Sequence, residues 1–377
     1  MRRARPTVVV LAGLLGAGPL SAQRMTGTIV ISGTEAPLVG AFVKLRDGDG
    51  NVVRAVLTDN AGRFVLQAPA PGRYSLLVER IGQETMEEGP FHLAEDQARP
   101  VRLESKPRPI ALAGLEARGE RRCTVRPDRA AGAARVWEEA RKALEITLWA
   151  RDNAEFLFRS TRYVRELDPT LARTRSQSTR PAGGMGAKPF LTADPAFLRD
   201  SGFAKVLGDS IEYYGLDAEI LLSDAFLDHH CFELVSSNAD RNLIGLRFRP
   251  TATRRLPDVE GTLWIERESG LLRWLDFRFV QLDQIMPLAS VALPREGEPR
   301  HPRAEVTGRT DFQRLPSGVW IINRWWIRAP ILRRTGQRIF LWGWHEDGGV
   351  VLDARQALGA RHQIGPGTPL PEAWRRS

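Results

Sequence analysis

Short β-branched runs, broken at close intervals by glycine-, asparagine- and proline-rich turns, constrain the first quarter of this chain more than any other feature. Residues 26–31, 41–45, 52–58, 63–66, 74–78 and 99–103 are such runs. Between them stand Ser32-Gly33-Thr34-Glu35-Ala36-Pro37, Asp47-Gly48-Asp49-Gly50-Asn51, Asp59-Asn60-Ala61-Gly62 and Ala68-Pro69-Ala70-Pro71-Gly72. No helix survives that punctuation, whereas a hairpin needs it. About six or seven short strands at this spacing argue a β-sandwich with Greek-key connections. Local chemistry agrees: Asp59 and Asn60 suit an Asx-type turn, and Gly62 can take the positive φ that a β-branched residue cannot. Phe64 is expected inward, and Tyr74 is expected to pack its ring while its hydroxyl caps a neighbouring backbone group.

The same residues carry a resemblance. Gly27-Thr28-Ile29, Pro37-Leu38-Val39-Gly40-Ala41, Thr58-Asp59-Asn60-Ala61-Gly62-Arg63-Phe64 and Pro71-Gly72-Arg73-Tyr74 resemble, in order and interval, the carboxypeptidase-regulatory-like family. The resemblance implies a transthyretin-like (prealbumin-like) sandwich over residues 24–105, the accessory domain that accompanies carboxypeptidases, without their catalytic domain. Pro107 and Pro109 then stop any central strand, and residues 106–128 read as a linker. Within it, residues 109–117 resemble the segment that follows this sandwich in TonB-dependent receptors. The remaining chain is too short for their barrel, which needs many strands of about ten residues.

The N-terminus reads as a secretory signal peptide over residues 1–22. Arg2, Arg3 and Arg5 precede an uncharged run from Pro6 to Leu20, and Ser21 and Ala22 make a small-residue exit. The run is shorter than the roughly 20 residues of a membrane span and carries Gly13, Gly16, Gly18 and Pro19. Export to the periplasm, to the outer membrane or outside the cell is expected, with no transmembrane insertion of the mature chain. The formal charge of +9 falls to about +6 without the three leading arginines. The remaining cations are scattered arginines such as Arg247, Arg249, Arg273 and Arg278, which argues against nucleic acid as a partner. An exported chain with two cysteines, Cys123 and Cys231, is expected to pair them. That bridge would close a loop of about 108 residues, worth on the order of 4–5 kcal/mol in the chain-entropy picture.

Beyond the linker the pattern changes twice. From Asp128 to Asp152-Asn153 the period is helical: Val136, Ala140, Ala143, Leu144, Thr147 and Leu148 share one face, with Glu138, Glu139, Arg141 and Lys142 opposite. Strands then return at 155–163, 243–249, 261–267, 272–282, 307–314, 319–328 and 338–346, while 173–189, rich in Ser, Thr and Gly, reads as a loop. Gly261-Thr262-Leu263-Trp264-Ile265-Glu266-Arg267-Glu268-Ser269-Gly270-Leu271-Leu272-Arg273 resembles the recurrent hairpin of the lipoprotein-carrier (LolA-like) fold. Gly318-Val319-Trp320-Ile321 is similar to that fold's closing strands. The expected architecture is therefore mainly β: the sandwich, then over residues 129–355 a helix with a curved antiparallel half-barrel sheet, and a tail over 356–377.

No residue pattern demands catalysis. His92-Leu93-Ala94-Glu95 has the spacing of a zinc pair but lacks a third ligand and a base in sequence. His229-His230-Cys231 cannot converge on one ion, because neighbours on a strand face opposite sides. Asp217/Glu219 and Asp224/Asp228 are carboxylate pairs near turns, and residues 221–227 read as a capped short helix or turn. No nucleotide or serine-hydrolase fingerprint occurs. What is left is tryptophan: Trp264, Trp274, Trp320, Trp325, Trp326, Trp342 and Trp344 fall in the half-barrel. Trp342 and Trp344 are expected on one face, as are Trp320 with Ile322 and Trp325 with Ile327. Trp320, Trp325, Trp342 and Trp344 are the candidate ligand-binding residues, for a lipid, glycan or peptide. The expectation is a non-catalytic envelope protein without metal or cofactor, acting as a binding or assembly module. Its sandwich would contact envelope proteins or glycans as an adaptor, and its sheet an apolar ligand. The alternative is a carboxypeptidase-associated protein or another hydrolase.

Overall fold

The computed structural model describes residues 23–108, 124–129, 133–153, 156–185, 190–208, 210–288, 291–292 and 302–356. The expected signal peptide, most of the linker with its receptor-like segment, Cys123 and nearly all of the tail lie outside the described residues. In the first domain the turn-punctuated runs become β1 (Arg24–Ile31), β2 (Phe42–Arg46), β3 (Val52–Leu57), β4 (Arg63–Gln67), β5 (Gly72–Glu79), β6 (Met86–Leu93) and β7 (Ala98–Ser105). They form two sheets, β4-β1-β7 and β3-β2-β5-β6, with β1 and β7 parallel. Strand β6 was not expected, because Glu87, Glu88, Gly89 and Pro90 break the apolar alternation; as the edge of its sheet it needs a partner on one side only.

The turn chemistry is as the sequence implies. The Asp59 carboxylate accepts from the backbone N–H of Ala61 and Arg63 at 2.9 Å each, and Gly62 has φ of 69°. Phe64 is buried, and the Tyr74 hydroxyl donates to the Ala70 carbonyl at 2.7 Å. Met25, Ile29, Val43, Leu45, Phe64, Leu76, Val78 and Leu93 fill the space between the sheets.

The rest of the chain is β8 (Thr124–Val125), a 3₁₀ turn (Pro127–Arg129), α1 (Ala133–Asp152), β9 (Phe156–Leu167), β10 (Thr174–Met185), α2 (Pro195–Ser201), β11 (Ala204–Leu207), β12 (Ser210–Tyr213), α3 (Ala218–Leu222), α4 (Asp224–Leu227), β13 (His230–Ser236), β14 (Leu243–Pro250), β15 (Asp258–Glu266), β16 (Leu272–Val280), β17 (Thr307–Arg314), β18 (Trp320–Thr335) and β19 (Arg338–Gln356). Ten strands make one sheet in the order β10-β9-β19-β18-β17-β16-β15-β14-β13-β8. Strands β13 to β19 run as a meander, and β9 joins antiparallel to β19. The sheet is open: β10 and β8 lie at its two ends and do not close it into a barrel. Its alternation is clean. Leu246, Phe248, Leu263, Ile265, Leu275, Phe277 and Phe279 turn to one face, where α1 and the short helices cover them.

One expectation needs correction, and a second feature goes beyond what was expected. Residues 174–185, read as loop, are strand β10, because β9 offers a twelve-residue template and an edge position tolerates Pro181 and the glycines. The second concerns α1. Its apolar face does pack on the sheet, through Val136, Ala140, Ala143 and Leu144. Half of its polar face is buried too, at 4 % exposure for Glu139 and 2 % for Lys142, because the sandwich sits on it, while Glu138 and Arg141 keep part of their surface.

That seam is built by β2, which is covered on both sides. Val43 and Leu45 point into the sandwich, while Phe42 and Lys44 point out onto α1. Phe42 packs against Trp149 with ring centroids 5.4 Å apart and shares a cluster with Ile146, Ala150, Val319 and Ile321. Lys44 donates to Glu79 and to Glu145, each at 2.5 Å, and Arg141 donates to Glu79 at 2.5 Å and also pairs with Glu145 and Glu138. One turn along, the loop between β5 and β6 docks. Ile81 enters the core of the large domain, Gly82 N–H donates to Glu139 at 2.7 Å, and Lys142 donates to the Gln83 carbonyl at 3.0 Å. At the far end Gly40 and Gly318, both at positive φ, touch backbone to backbone: a Cβ on Gly40 would stand 2.3 Å from the Gly318 Cα.

Burial disfavours the charged Glu79 carboxylate, but Lys44 and Arg141 outweigh it and hold the carboxyl below its ordinary value of 4.5. A carboxyl depressed on folding stabilises fully above its unfolded value and loses that contribution as pH falls through the folded one. Acid should therefore loosen the seam below about pH 4.5. The Glu79→Gln variant, which leaves Lys44 and Arg141 to share Glu145 and Glu138, should lose on the order of 2 kcal/mol in urea unfolding at neutral pH. It should also show a weaker acid dependence than the parent; an unchanged midpoint and pH profile would contradict the role given to this carboxylate.

Candidate functional site

Where the C-terminal half of α1 leaves the sheet, a cavity of about 290 Å³ remains. Leu148 and Ala150 of α1, Phe158 of β9, Ala182 of β10, Trp320 and Ile322 of β18 and Val351 of β19 give it apolar walls. Its small polar groups are already engaged: Thr147 donates to the Ala143 carbonyl and Ser160 to the Ala182 carbonyl, each at 3.0 Å. A space of this size is near the lower end for small-molecule sites and suits an apolar chain.

Three charged residues, Arg151, Arg162 and Asp217, also line it. Arg151 at the end of α1 donates to Asp152 at 2.8 Å and to Glu219 at 3.0 Å. Burial works against its charge, yet these carboxylates raise its pKa further, so it stays cationic. Asp217 accepts from the Ile220 N–H at 3.0 Å and caps α3. Arg162, on β9, lies over the Trp325 ring at 5.2 Å and approaches Asp347 at 3.6 Å. Burial pushes the Asp347 carboxyl up, against the pull of Arg162, His345 and Arg180.

The four candidate tryptophans do not form one site. Trp320, 2 % exposed, lines the cavity. Trp325 is also buried, edge-on to Phe190 at 5.5 Å, and supports Arg162. The guanidinium groups of Arg175, at 4.8 Å, and Arg333, at 3.6 Å, lie over the Trp342 ring. Trp344 is buried with Leu167 and Leu341, and its Nε1–H donates to the Pro169 carbonyl at 3.0 Å. The expectation that Trp342 and Trp344 share a face fails because the β18–β19 register shifts between Ile331 and Leu332, skipping Trp342 and setting Leu341 beside Trp344. Sequence reasoning missed Arg162, Phe158 and Ala182. The alternation Phe158, Ser160, Arg162 was visible, but the loop reading of residues 173–189 removed the strand that completes the wall.

The other titratable pairs are committed to structure. His230, 1 % exposed, stacks on Phe226 and sits between the Phe226 carbonyl at 2.9 Å and Asp258 at 3.1 Å, while Arg254 donates to the same aspartate at 2.5 Å. His229 faces the Ala225 carbonyl instead. Asp224 and Asp228 both accept from Arg126, at 2.5 and 2.7 Å. Among the described residues no group of three or more His, Cys, Asp or Glu side chains is placed to hold a metal. Cys231 is buried on β13, whose Cys231 and Phe232 pair with Val125 and Thr124. The opposite face of the sheet holds a wider groove of about 660 Å³. Its charges neutralise one another there, Arg278 with Glu260 and Glu305, and Arg247 with Glu233.

No curated protein matches the sequence. Among solved structures, a segment is similar to the Bacillus anthracis TIE protein at 19 % identity, covering 23 % of this chain and 17 % of that one, with a TM-score of 0.20. The group B streptococcus pilus 2b backbone protein is similar at 15 % identity over 25 % of this chain and 43 % of its own, at 0.19. The minor pilin of Streptococcus agalactiae is similar at 17 % over 24 % and 46 %, at 0.20. The chain thus spans less than half of each, and likeness at this level carries no functional argument. No helix among the described residues is long and apolar enough to cross a membrane. The family described as the carboxypeptidase regulatory-like domain matches residues 24–105, and with the two-sheet fold and its turns in place that segment is a carboxypeptidase regulatory-like domain.

Proposed function

We propose that this chain is an exported, non-catalytic envelope protein whose large open sheet holds an apolar ligand in the cavity beneath α1, with the sandwich as a brace. The cavity carries the reading: its walls are mostly apolar, its hydroxyls are satisfied, and Arg151 and Asp217 in its lining have partners of their own. The carboxylate and histidine pairs that a hydrolase would need are engaged in caps and ion pairs, which favours binding over catalysis. One face of the sandwich is spent on α1; the β4-β1-β7 sheet is the side left for contact with an envelope protein or glycan. The LolA-like resemblance fits the same reading, an apolar ligand between sheet and helix.

The test is native mass spectrometry of protein purified from an exporting host. The parent should carry an apolar adduct, or take up dodecanol when it is supplied. Ala182→Phe, which fills the cavity from the edge strand, should lose both. A parent that takes up neither, or an Ala182→Phe protein that binds as well as the parent, would sink the proposal.

Export also calls for the Cys123–Cys231 bridge, supported by the pairing of Val125, two residues beyond Cys123, with Cys231. Denatured protein from the same host should resist alkylation until it is reduced, then take up two labels, and its intact mass should lack residues 1–22. Two labels without reductant would rule the bridge out.

A further inference from the structure

The wall formed by β9 and β10 continues past the cavity in a way that specifies the ligand. Ser160 and Ala182 are register partners and line the cavity. Two residues along, on the same face, the next partners are Arg162 and Arg180. Like charges directly opposite on neighbouring strands repel and cost stability unless something neutralises them. One carboxylate, Asp347, stands near both. Arg162 reaches Asp347 only at 3.6 Å, and its Nε is buried with no hydrogen-bond partner among the described residues. Its side chain is 28 % exposed, so the guanidinium lies on the rim, between the apolar space and solvent. The planar face of Arg162 is fixed by Trp325, which is itself held by Phe190. A part-exposed guanidinium on the cavity wall, stacked on an indole and beside a second cation, is suited to bidentate recognition of an anionic oxygen pair.

We propose that the cavity takes a single-chain amphiphile with an anionic head group, the alkyl chain lying among Leu148, Phe158 and Trp320 and the head group held by Arg162 and Arg180. This rests on the apolar-cavity reading above and adds the head group to it. The shared chemistry is a carboxylate or phosphate joined to one alkyl chain.

Calorimetric titration of the full chain with dodecanoate, dodecyl phosphate and dodecanol, each below its micelle concentration, tests it. One or both anions should bind about tenfold or more tightly than the alcohol, the scale of one charge-assisted hydrogen-bond pair. Which anion binds better distinguishes carboxylate from phosphate. Arg162→Met with Arg180→Met should erase that preference and leave alcohol binding in place. Arg180 is exposed, so Arg180→Met alone should keep the fold and shrink the preference, should the double variant fail to fold. Equal binding of alcohol and anions by the parent, or a preference unchanged in the variants, overturns the head-group assignment while the cavity reading stands. Failure of all three probes to bind overturns both.

Discussion

Glu79 holds two domains to one helix. It belongs to the last strand-pairing residues of β5, yet it faces away from the sandwich core and is almost fully buried against α1, between Lys44 and Arg141. A carboxylate there is tolerable only because two cations replace its water, and each cation in turn needs a second carboxylate, Glu145. The chain of charges fixes how β2 lies across α1, and the apolar contacts of Phe42, Trp149 and Ile321 then follow along the same line. Ile81 and the Gly40–Gly318 contact close the seam at its two ends. Helix α1 is therefore a shared element, with the sheet on one side and the sandwich on the other.

This sharing decides what the cavity is. As far as Leu144 α1 packs tightly on the sheet, through Val136, Ala140 and Leu144; beyond it Ile146 and Ala150 are drawn to the Phe42 cluster instead. Thr147, Leu148 and Arg151 are left facing a space that the sheet does not fill. The sandwich sets the position of the helix that roofs the cavity, so a carboxypeptidase regulatory-like domain here has a structural task distinct from an independent adaptor.

The sandwich was legible because its signals are local: an Asx turn at Asp59, a positive φ at Gly62 and a tyrosine hydroxyl at Tyr74 each act within a few residues. The meander from β14 to β18 was legible from alternation, with Leu263/Ile265 and Leu275/Phe277/Phe279 on the covered face. The seam was not. Glu139 and Lys142 stand opposite the apolar face of the helix in sequence, and only the docking of a second domain buries them. Lys44 inside the run Phe42-Val43-Lys44-Leu45 was the one local hint of a strand covered on both faces. Strand β10 was missed because its residues have little apolar character; its pairing comes from the backbone of β9. The face of Trp342 was misassigned because a register shift is a property of two strands and leaves no mark in either alone.

All ten tryptophans of the chain lie beyond residue 105, so their fluorescence reports the large domain and, through Trp149 on Phe42, the seam, while backbone hydrogen exchange over residues 24–105 reports the sandwich. Urea unfolding followed by both tests whether α1 joins the two domains into one cooperative unit. One midpoint for both probes is expected. A sandwich that exchanges at lower urea while the tryptophan signal stays native, or the reverse, would contradict it.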